Sequence, residues 1–248
     1  MAASVTAALL VIGDEILTGR TKDKNIGYIA EYLTGIGIDL REVRIVPDVE
    51  EEIVGAVNAL RQRYTYLFTT GGIGPTHDDI TADCIAKAFG VGIGHDPRAV
   101  AMLQARYQPG ELNEARLRMA RIPDGAELIE NPISKAPGFR LGNVFVMAGV
   151  PAIMQAMLDN IAPSLKTGAR MIIETIDATG LAEGNYAEGL AAIAAGHEGV
   201  SIGSYPSFSA EGFRNQIVVR GKDPDAVARA ADAVRDLLRR LKGDGAPL

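Results

Sequence analysis

The sequence predicts an α/β fold with three layers, in which a mostly parallel, mixed sheet carries helices on both faces, followed by a small α+β domain. Three strand–loop–helix units follow one another in the first 90 residues, which is typical of doubly wound sheets. Gly142-Asn143 separates two short apolar runs, which indicates a tight antiparallel hairpin and hence a mixed sheet. From about residue 171 the order of elements changes to βαββα.

Each of the first three units is predicted from an apolar run and from the residues that end it. The run at 7–12 is continuously apolar, as expected for a strand covered on both faces, and Gly35 or Gly37 supplies the stop of the next helix. Asp48 and Glu51 have the spacing of a capping box, so we expect Asp48 to cap the second helix. The predicted elements are a strand at 7–12, a helix at 25–33, a strand at 40–46, a helix at 53–60, a strand at 66–68 and a helix from near Ile80.

The rest of the chain is predicted to complete one domain at 1–167 and to form a second at 168–248. Asp223-Pro224 supplies an N-cap and a first-turn proline for the last helix. The first domain is predicted to end with helices at 97–107 and 111–119, a strand at 126–129, hairpin strands at 139–141 and 144–147, and a helix from Pro151 to about 165. The second domain is predicted to contain strands at 171–176, 200–205 and 213–220 and helices at 183–195 and 224–241.

Bulk composition limits the classes of function. The chain has 248 residues, of which 47% are apolar, so it can bury one large core and one small core. Its net charge is −6 and it has no run of Lys or Arg, so we expect neither nucleic acid nor an acidic membrane surface as a partner. Its first residues lack a basic signal-peptide region, and no apolar stretch reaches about 18 residues, so we expect a soluble, cytoplasmic protein.

One run, from Thr69 to Thr81, combines glycines with carboxylates between a strand and a helix. Its three glycines allow backbone conformations that a Cβ would exclude, so successive N–H groups can converge on an anion at a helix start. Asp78 and Asp79 would repel a bound phosphate unless a divalent cation lay between the two kinds of oxygen. The run therefore predicts a site for a phosphate together with a metal ion.

This run resembles the TGG-(small or apolar)-G-PT-x-DD-x-T signature of the molybdopterin-binding, or molybdenum-cofactor-biosynthesis, domain family, and in particular of its CinA-like branch (competence/damage-inducible protein A). Four further segments resemble elements of that branch in the same order, over roughly residues 5–165: GDEILTG with DKN, PDGA, APGF and GVP. Lys135 stands where the branch has a small residue, and Met147-Ala148 where leucine-proline is usual. Longer members carry an amidase-like domain, which we do not expect in this chain.

The resemblance implies a homo-oligomer that binds a small phosphorylated ligand. CinA-like domains, and the similar domain of eukaryotic FAD synthases, are associated with metal-dependent hydrolysis of ADP-ribose or FAD. The resemblance therefore implies a nucleotide pyrophosphatase that uses Mg²⁺, Mn²⁺ or Co²⁺, with K⁺ as an additional candidate. Two alternatives stay open: a non-catalytic module that holds molybdopterin, a related pterin or a dinucleotide, and a molybdopterin adenylyltransferase-like enzyme.

Carboxylates follow each of the first three predicted strands. Ligands of open parallel sheets bind beyond the carboxyl ends of the strands, and here Asp14 and Glu15 follow the first strand, Asp48 the second, and Asp78 and Asp79 the third. Carboxylates so close would raise one another's pKa unless cations or hydrogen-bond donors compensate. We take three of them as candidate catalytic and metal-binding residues: Asp78, Asp79 and Asp14.

The candidate ligand-binding residues lie on the same loops and on the segments of resemblance. They are Gly13, Glu15, Asn25, Thr70, Gly71, Gly72, Gly74, Pro75, Thr76, Thr81, Lys135, Gly138, Gly149 and Pro151. Structural roles stay open for some candidates, because Asn25 could be a helix N-cap, Asp78 or Asp79 could cap the helix near Ile80, and Thr81 could bond only within its first turn.

Other chemistries find no support. His77, His95 and His197 lack metal-ligand spacing, and the single Cys84 lies on an apolar helix stripe, so we expect neither a zinc site nor an internal disulfide. The sequence has no G-x-S-x-G segment that would indicate a serine nucleophile.

Overall fold

The computed structural model describes residues 4–108, 110–209 and 212–243, with the side chains of 208, 209, 212 and 213 excepted. The chain divides into two compact units, Met1–Gly168 and Ala169–Leu248. None of the helices in these ranges combines the length and the apolar character that crossing a bilayer requires.

The first unit contains these strands within the described ranges: β1 (Thr6–Ile12), β2 (Asp39–Val46), β3 (Tyr66–Thr70), β4 (Ile93–His95), β5 (Arg121–Pro123), β6 (Glu127–Ile129), β7 (Gly138–Leu141) and β8 (Val144–Met147). Its helices are α1 (Asp14–Leu17), α2 (Asn25–Gly35), α3 (Glu50–Arg63), α4 (Thr81–Phe89), α5 (Pro97–Gln104), α6 (Glu114–Leu117) and α7 (Pro151–Ile161). Short 3₁₀ turns follow α6 and α7, at Arg118–Ala120 and Ala162–Ser164.

Six strands form one mixed sheet in the order β2-β1-β3-β8-β7-β6. The pairs β1–β2, β1–β3 and β3–β8 are parallel, whereas β7–β8 and β6–β7 are antiparallel. The parallel order brings the carboxyl ends of β1, β2 and β3 to one edge of the sheet. The predicted mixed sheet and the hairpin around Gly142-Asn143 are both confirmed.

Apolar side chains cover both faces of this sheet. In β1, Ala8, Leu10 and Ile12 join one core cluster, with residues of α3, α4 and α5. The alternate residues Leu9 and Val11 join a second cluster, with residues of α2 and α7. The alternation follows from the two-residue period of a strand, and it confirms the predicted arrangement of helices on both faces.

Several local features of the first unit differ from the predictions. The short helix α1 and the small antiparallel pair β4–β5 were not predicted, because elements of three or four residues are too short to show a period. The helix predicted at 111–119 is only α6 with its 3₁₀ turn, and α3 is longer at both ends than its prediction.

The predicted capping of α3 by Asp48 is wrong. The N-cap residue of α3 is Val49, and no side chain caps the helix. The Asp48 carboxylate instead accepts a hydrogen bond from the backbone N–H of Asp14, at 3.1 Å, in the loop after β1. A tertiary contact has therefore replaced the local bond that the sequence spacing indicated.

The second unit is a small α+β fold. Its elements are β9 (Ile172–Asp177), α8 (Glu183–Gly196), β10 (Val200–Tyr205), β11 (Phe208–Ser209), β12 (Gly212–Phe213), β13 (Gln216–Gly221) and α9 (Pro224–Lys242). The antiparallel sheet β10-β13-β9 shares a core with α8 and α9. Asp223 caps α9 by accepting from the N–H groups of Asp225 and Ala226, as predicted. The βαββα order is confirmed, with the short β11–β12 pair added.

Candidate functional site

An open cavity of about 640 Å³ lies at the carboxyl ends of β1, β2 and β3. This is the edge at which ligands of parallel sheets bind. Its walls come from the loops after these strands, from the segment before β7 and from the start of α7. The lining residues are Ile12, Gly13, Glu15, Thr21, Asp48, Gly71, Gly72, Ile73, Gly74, Pro75, Asp78, Asp79, Met119, Asn131, Ser134, Ala136, Ala148, Gly149, Val150, Pro151 and Ile153.

Two glycines of the loop after β3 occupy positions that no other residue would fit. Gly71 and Gly72 have φ values of 102° and 67°, which L side chains rarely adopt. A Cβ at Gly71 would lie 2.1 Å from the carbonyl oxygen of Ile12, and one at Gly72 would lie 2.1 Å from Oγ1 of Thr81. The loop therefore depends on glycine for both its conformation and its close packing.

Thr81, at the start of α4, holds the carbonyl groups of this loop. Its Oγ1 donates to the carbonyl of Gly71 and its N–H to the carbonyl of Gly72, both at 3.0 Å. Over the described ranges, no protein acceptor takes the N–H groups of Gly72, Ile73 or Gly74, and all three residues line the cavity. A loop with bonded carbonyls and unoccupied N–H groups is suited to an anion.

Four carboxylates line the cavity from α1 and from the loops after β2 and β3: Glu15, Asp48, Asp78 and Asp79. Burial raises the pKa of the Asp48 carboxyl; the negative charges of Asp14, Glu15 and Asp78 raise it further, while the Asp14 N–H opposes the shift. Across the described residues, no three His, Cys, Asp or Glu side chains are grouped closely enough to cage a metal ion. The carboxylates thus share one cavity without forming a closed metal site.

Asp79 and Asp78 face different surroundings although they are adjacent. Oδ2 of Asp79 accepts from the N–H of Thr76 at 2.8 Å and from its hydroxyl at 2.5 Å, so this carboxylate closes its own loop. The Asp78 side chain is 61% exposed, with Nδ1 of His77 at 4.0 Å. Neither caps α4, whose N-cap residue Ile80 receives no side-chain bond, so that alternative is wrong.

A smaller recess of about 220 Å³ adjoins the cavity and shares Ile12, Glu15, Thr21, Gly149 and Pro151 with it. Two predicted ligand-binding residues, Asn25 and Thr70, line this recess and not the larger cavity.

The alternative of Asn25 as a helix cap is wrong. The N-cap residue of α2 is Lys24, and the N–H groups of Asn25 and Ile26 donate to Oδ1 of Asp23 at 3.0 and 2.7 Å. The Asn25 side chain is therefore free of capping and donates from Nδ2 to the carbonyl of Gly149, at 2.8 Å.

Several predicted site residues do not line either cavity: Asp14, Thr76, Thr81, Lys135 and Gly138. Asp14 acts through its N–H on Asp48, and Gly138 packs so closely that a Cβ would lie 2.3 Å from the carbonyl oxygen of Val146. Lys135 is exposed and has a positive φ of 61°, which is uncommon for a residue other than glycine. The other predicted residues of the loops after β1, β3 and β8 do line the cavities.

Sequence reasoning missed Arg118 and Asn131. Nη2 of Arg118 donates to the carbonyl of Asp79 at 3.4 Å, and Arg118 lines a pocket of about 10 Å³ with Gly72 and Gly74. Asn131 is buried and its side chain bonds four groups of the segment 133–136, which fixes this part of the cavity wall. The Asn131-Pro132 dipeptide is a turn signal in the sequence, and it could have indicated the role of Asn131.

Comparison with known proteins places both units. Residues 8–167 match the family described as probable molybdopterin binding domain, and residues 170–242 match the family described as FAD synthase, middle domain. A protein of Metallosphaera sedula is 32% identical over 250 residues, covering 96% of this chain and 93% of the relative. A protein of Caldivirga maquilingensis is 36% identical over 174 residues, covering 68% of each chain.

A solved structure is similar to the first unit. It is described as the crystal structure of the protein CinA with unknown function from Thermoplasma acidophilum, and it is 34% identical with a TM-score of 0.62. The match covers 65% of this chain and 99% of that chain. It supports the CinA-like resemblance, and it assigns no activity.

Proposed function

The chain belongs to the probable molybdopterin binding domain family, and we propose that it is a metal-dependent hydrolase of nucleotide diphosphates, of the ADP-ribose or FAD pyrophosphatase type. One observation carries this proposal: four carboxylates, from α1 and from the loops after β2 and β3, line the same cavity as a glycine loop with unoccupied N–H groups. Binding alone would need the glycine loop, whereas activation of water beside a phosphate needs nearby carboxylates as well.

The residues present fit a cation that is held by one or two carboxylates, with water and the substrate phosphates as its other ligands. This is how Mg²⁺ is commonly bound. Burial raises the pKa of Asp48 and the charges of Asp14, Glu15 and Asp78 raise it further, so a cation nearby would stabilise its ionised form. Asp78, with its exposed side chain, and Asp79 are the proposed ligands, with Asp14 in support through Asp48. The bound cation would neutralise the phosphate oxygens.

The protein groups have separate roles in the proposed reaction. The N–H groups of Gly72, Ile73 and Gly74 bind a phosphate and stabilise the added charge of the transition state. Asp48 accepts the proton of the attacking water, because a raised pKa makes a carboxylate a better base near neutral pH. The start of α7, beside Gly149, offers further N–H groups to the second phosphate.

Release of AMP from ADP-ribose, FAD and NADH tests the proposal, measured with Mg²⁺, Mn²⁺ or Co²⁺, with and without K⁺. Asp48→Asn and Asp78→Asn are expected to lower kcat by about a hundredfold, the usual scale for loss of a proton acceptor or a metal ligand. Asp79→Asn is expected to lose turnover as well, but it also disturbs the bonds to Thr76. The matched control is Glu31→Gln, since Glu31 is exposed on α2 away from both cavities.

The outcomes separate the proposal from its alternatives. No AMP release under any metal, together with binding of a phosphorylated pterin, would indicate a non-catalytic binding module. Release of pyrophosphate from ATP only when molybdopterin is present would indicate an adenylyltransferase. Equal activity of Asp78→Asn and Glu31→Gln would remove Asp78 from the mechanism.

The proposal includes two statements about organisation. The first is that residues 1–167 and 168–248 are separate domains, which the two compact units and the two family matches support. The second is a homo-oligomer, supported by the edge strand β2, on which Val43 and Ile45 are 38% and 37% exposed. Sedimentation at several protein concentrations tests the oligomer, and a monomer at all of them would refute it.

A further inference from the structure

The recess beside the main cavity differs from it in character. No glycine of the loop after β3 lines it. Its lining combines apolar residues with charged ones: Val11, Ile12, Ile16 and Pro151, and Glu15, Lys22, Asp23 and Lys24. Its volume of about 220 Å³ is below the range of roughly 300–1,000 Å³ that is typical for a whole ligand. The recess therefore suits one part of a ligand whose remainder lies in the larger cavity.

Two polar side chains that line this recess have buried atoms without a hydrogen-bond partner in the described part of the chain: Oδ1 of Asn25 and Oγ1 of Thr70. Asn25 is 4% exposed and Thr70 is 1% exposed. The orientation of the Asn25 amide follows from its Nδ2, which donates to the carbonyl of Gly149 at 2.8 Å. Reversing the amide would bring two acceptor oxygens together, so Oδ1 is the atom left over.

Such atoms are costly to leave unpaired. A buried polar group without a partner destabilises a protein by about 1–3 kcal/mol, and native proteins contain few of them. The Asn25 oxygen only accepts hydrogen bonds, while the Thr70 hydroxyl can accept or donate. Their common requirement is a donor, which can be water or a ligand group.

We infer that the recess lined by Asn25 and Thr70 binds the amino-bearing edge of a flat heterocycle, a nucleobase or a pterin, whose phosphates lie in the adjoining cavity. The apolar part of the lining accepts the faces of the ring, and the exocyclic amino group donates to the two unpartnered oxygens. This inference rests on the proposed function in placing phosphates beside the glycine loop, but it concerns binding and not hydrolysis.

Replacement of the amino group by an oxygen tests the inference on the whole chain. Binding is measured by titration calorimetry, in chelated and in Mg²⁺-containing buffer, for ADP-ribose and its hypoxanthine counterpart and for a phosphorylated pterin and its lumazine counterpart. We expect at least one amino-bearing ligand to bind about tenfold or more tightly than its oxo counterpart, because the oxo form leaves a buried acceptor unpaired. The pair that discriminates identifies the heterocycle as a nucleobase or a pterin.

Two variants separate the recess from a general effect on the strand. Thr70→Val removes a hydroxyl that lines the recess, whereas Thr69→Val removes a neighbouring hydroxyl of β3 that is equally buried and without a partner among the described residues, but lines neither cavity. We expect the ratio of the Kd values of the oxo and amino ligands to fall at least threefold in Thr70→Val, which is within the range expected for loss of one hydrogen bond. The same ratio should be unchanged in Thr69→Val.

Three results would overturn the inference: binding of neither amino-bearing ligand, equal binding of the amino and oxo forms, or discrimination that survives Thr70→Val. Equal binding would mean that water alone satisfies Asn25 and Thr70. If discrimination holds but no nucleotide is hydrolysed under any metal, the proposed function fails and this inference stands.

Discussion

The pKa of the Asp48 carboxyl depends on the groups that surround it. Its carboxylate is half-buried in the cavity wall, near the negative charges of Asp14, Glu15 and Asp78, and it accepts one N–H from Asp14. Burial and repulsion outweigh that single hydrogen bond, so the pKa of Asp48 is raised. A raised pKa means that the negative form of Asp48 destabilises the folded protein.

Asp48→Asn is therefore expected to increase the free energy of unfolding at pH 7 in the presence of a chelator. A carboxyl whose pKa is raised by folding adds stability when it is protonated, and this contribution is lost as the pH rises through the folded value. The amide keeps an acceptor for the Asp14 N–H without the charge. Urea unfolding from pH 3 to pH 8 checks this, because the gain should shrink as the pH falls through the raised pKa of Asp48 and be lost below the ordinary carboxyl pKa of about 3.9.

The opposite result would have a clear meaning. If Asp48→Asn were less stable at pH 7, the hydrogen bond from the Asp14 N–H would outweigh burial and repulsion, and the pKa of Asp48 would not be raised. Addition of Mg²⁺ should narrow the difference in the free energy of unfolding between the parent protein and Asp48→Asn, because a bound cation stabilises the charged form of Asp48.

At the residue scale, the sequence predicted which loops carry the site better than what each side chain does. The apolar runs predicted parallel strands, and parallel strands bring the carboxylates that follow them to the same edge of the sheet. The role of Asp48 did not follow, because its local spacing to Glu51 matched a cap while its real partner, Asp14, lies 34 positions away. The sequence left two roles open for Asn25, a helix N-cap and a ligand-binding residue. The bonds from the N–H groups of Asn25 and Ile26 to Asp23 exclude the first role.

At the scale of the element, the loop after β3 depends on the contact between Gly72 and Thr81. Gly72→Ala is expected to destabilise the protein and abolish activity, because its Cβ would lie 2.1 Å from Oγ1 of Thr81. Gly90→Ala is the matched control, since Gly90 has the same φ of 67° at the end of α4 but open space around a Cβ. The control should lose only about 1–2 kcal/mol, the cost of a left-handed conformation with a Cβ.

Urea unfolding and AMP release measure both variants. If Gly72→Ala and Gly90→Ala lost the same stability and kept the same activity, the loop would have room to move away from Thr81, and its conformation would not be fixed by that contact.

The hydrogen bond from the Thr81 hydroxyl to the carbonyl of Gly71 gives a second test of this loop. Thr81→Val keeps the shape of the side chain but leaves the carbonyl of Gly71 without the hydroxyl, so we expect a loss of about 1–3 kcal/mol in the free energy of unfolding. We also expect weaker binding of ADP-ribose, because a freed carbonyl can turn toward the phosphate. Thr81→Ser, which retains the hydroxyl, should preserve the binding; equal loss in both variants would assign the effect to the methyl group.

Long elements were predictable and short ones were not. Strands such as β1 and helices such as α9 bury many apolar side chains, so the apolar pattern in their sequences identifies the element. The pair β4–β5 contains three residues in each strand and packs beside α4, a tertiary contact that no local pattern reveals. The start of α2 at Asn25 agrees with its prediction, and in the structure Oδ1 of Asp23 accepts from the N–H groups of Asn25 and Ile26 there.

At the scale of the whole molecule, the sequence predicted two folds in one chain because the rhythm of strands and helices changes near residue 170. Each unit has its own apolar core: residues such as Leu33 belong to the first unit, and Leu238 to the second. Separate cores favour separate cooperative unfolding.

We therefore expect two calorimetric unfolding transitions, with only one raised by ADP-ribose. A ligand present at 100 times its Kd stabilises the unit that binds it by about 2.7 kcal/mol and leaves an independent unit unchanged. Leu33→Ala and Leu238→Ala assign the transitions, since both leucines are 0% exposed and each substitution should cost about 2–5 kcal/mol in its own unit. The transition lowered by Leu33→Ala should be the one that ADP-ribose raises, because the cavity lies wholly within the first unit. A single transition that moves as one with ligand and with both substitutions would show that the two cores unfold together.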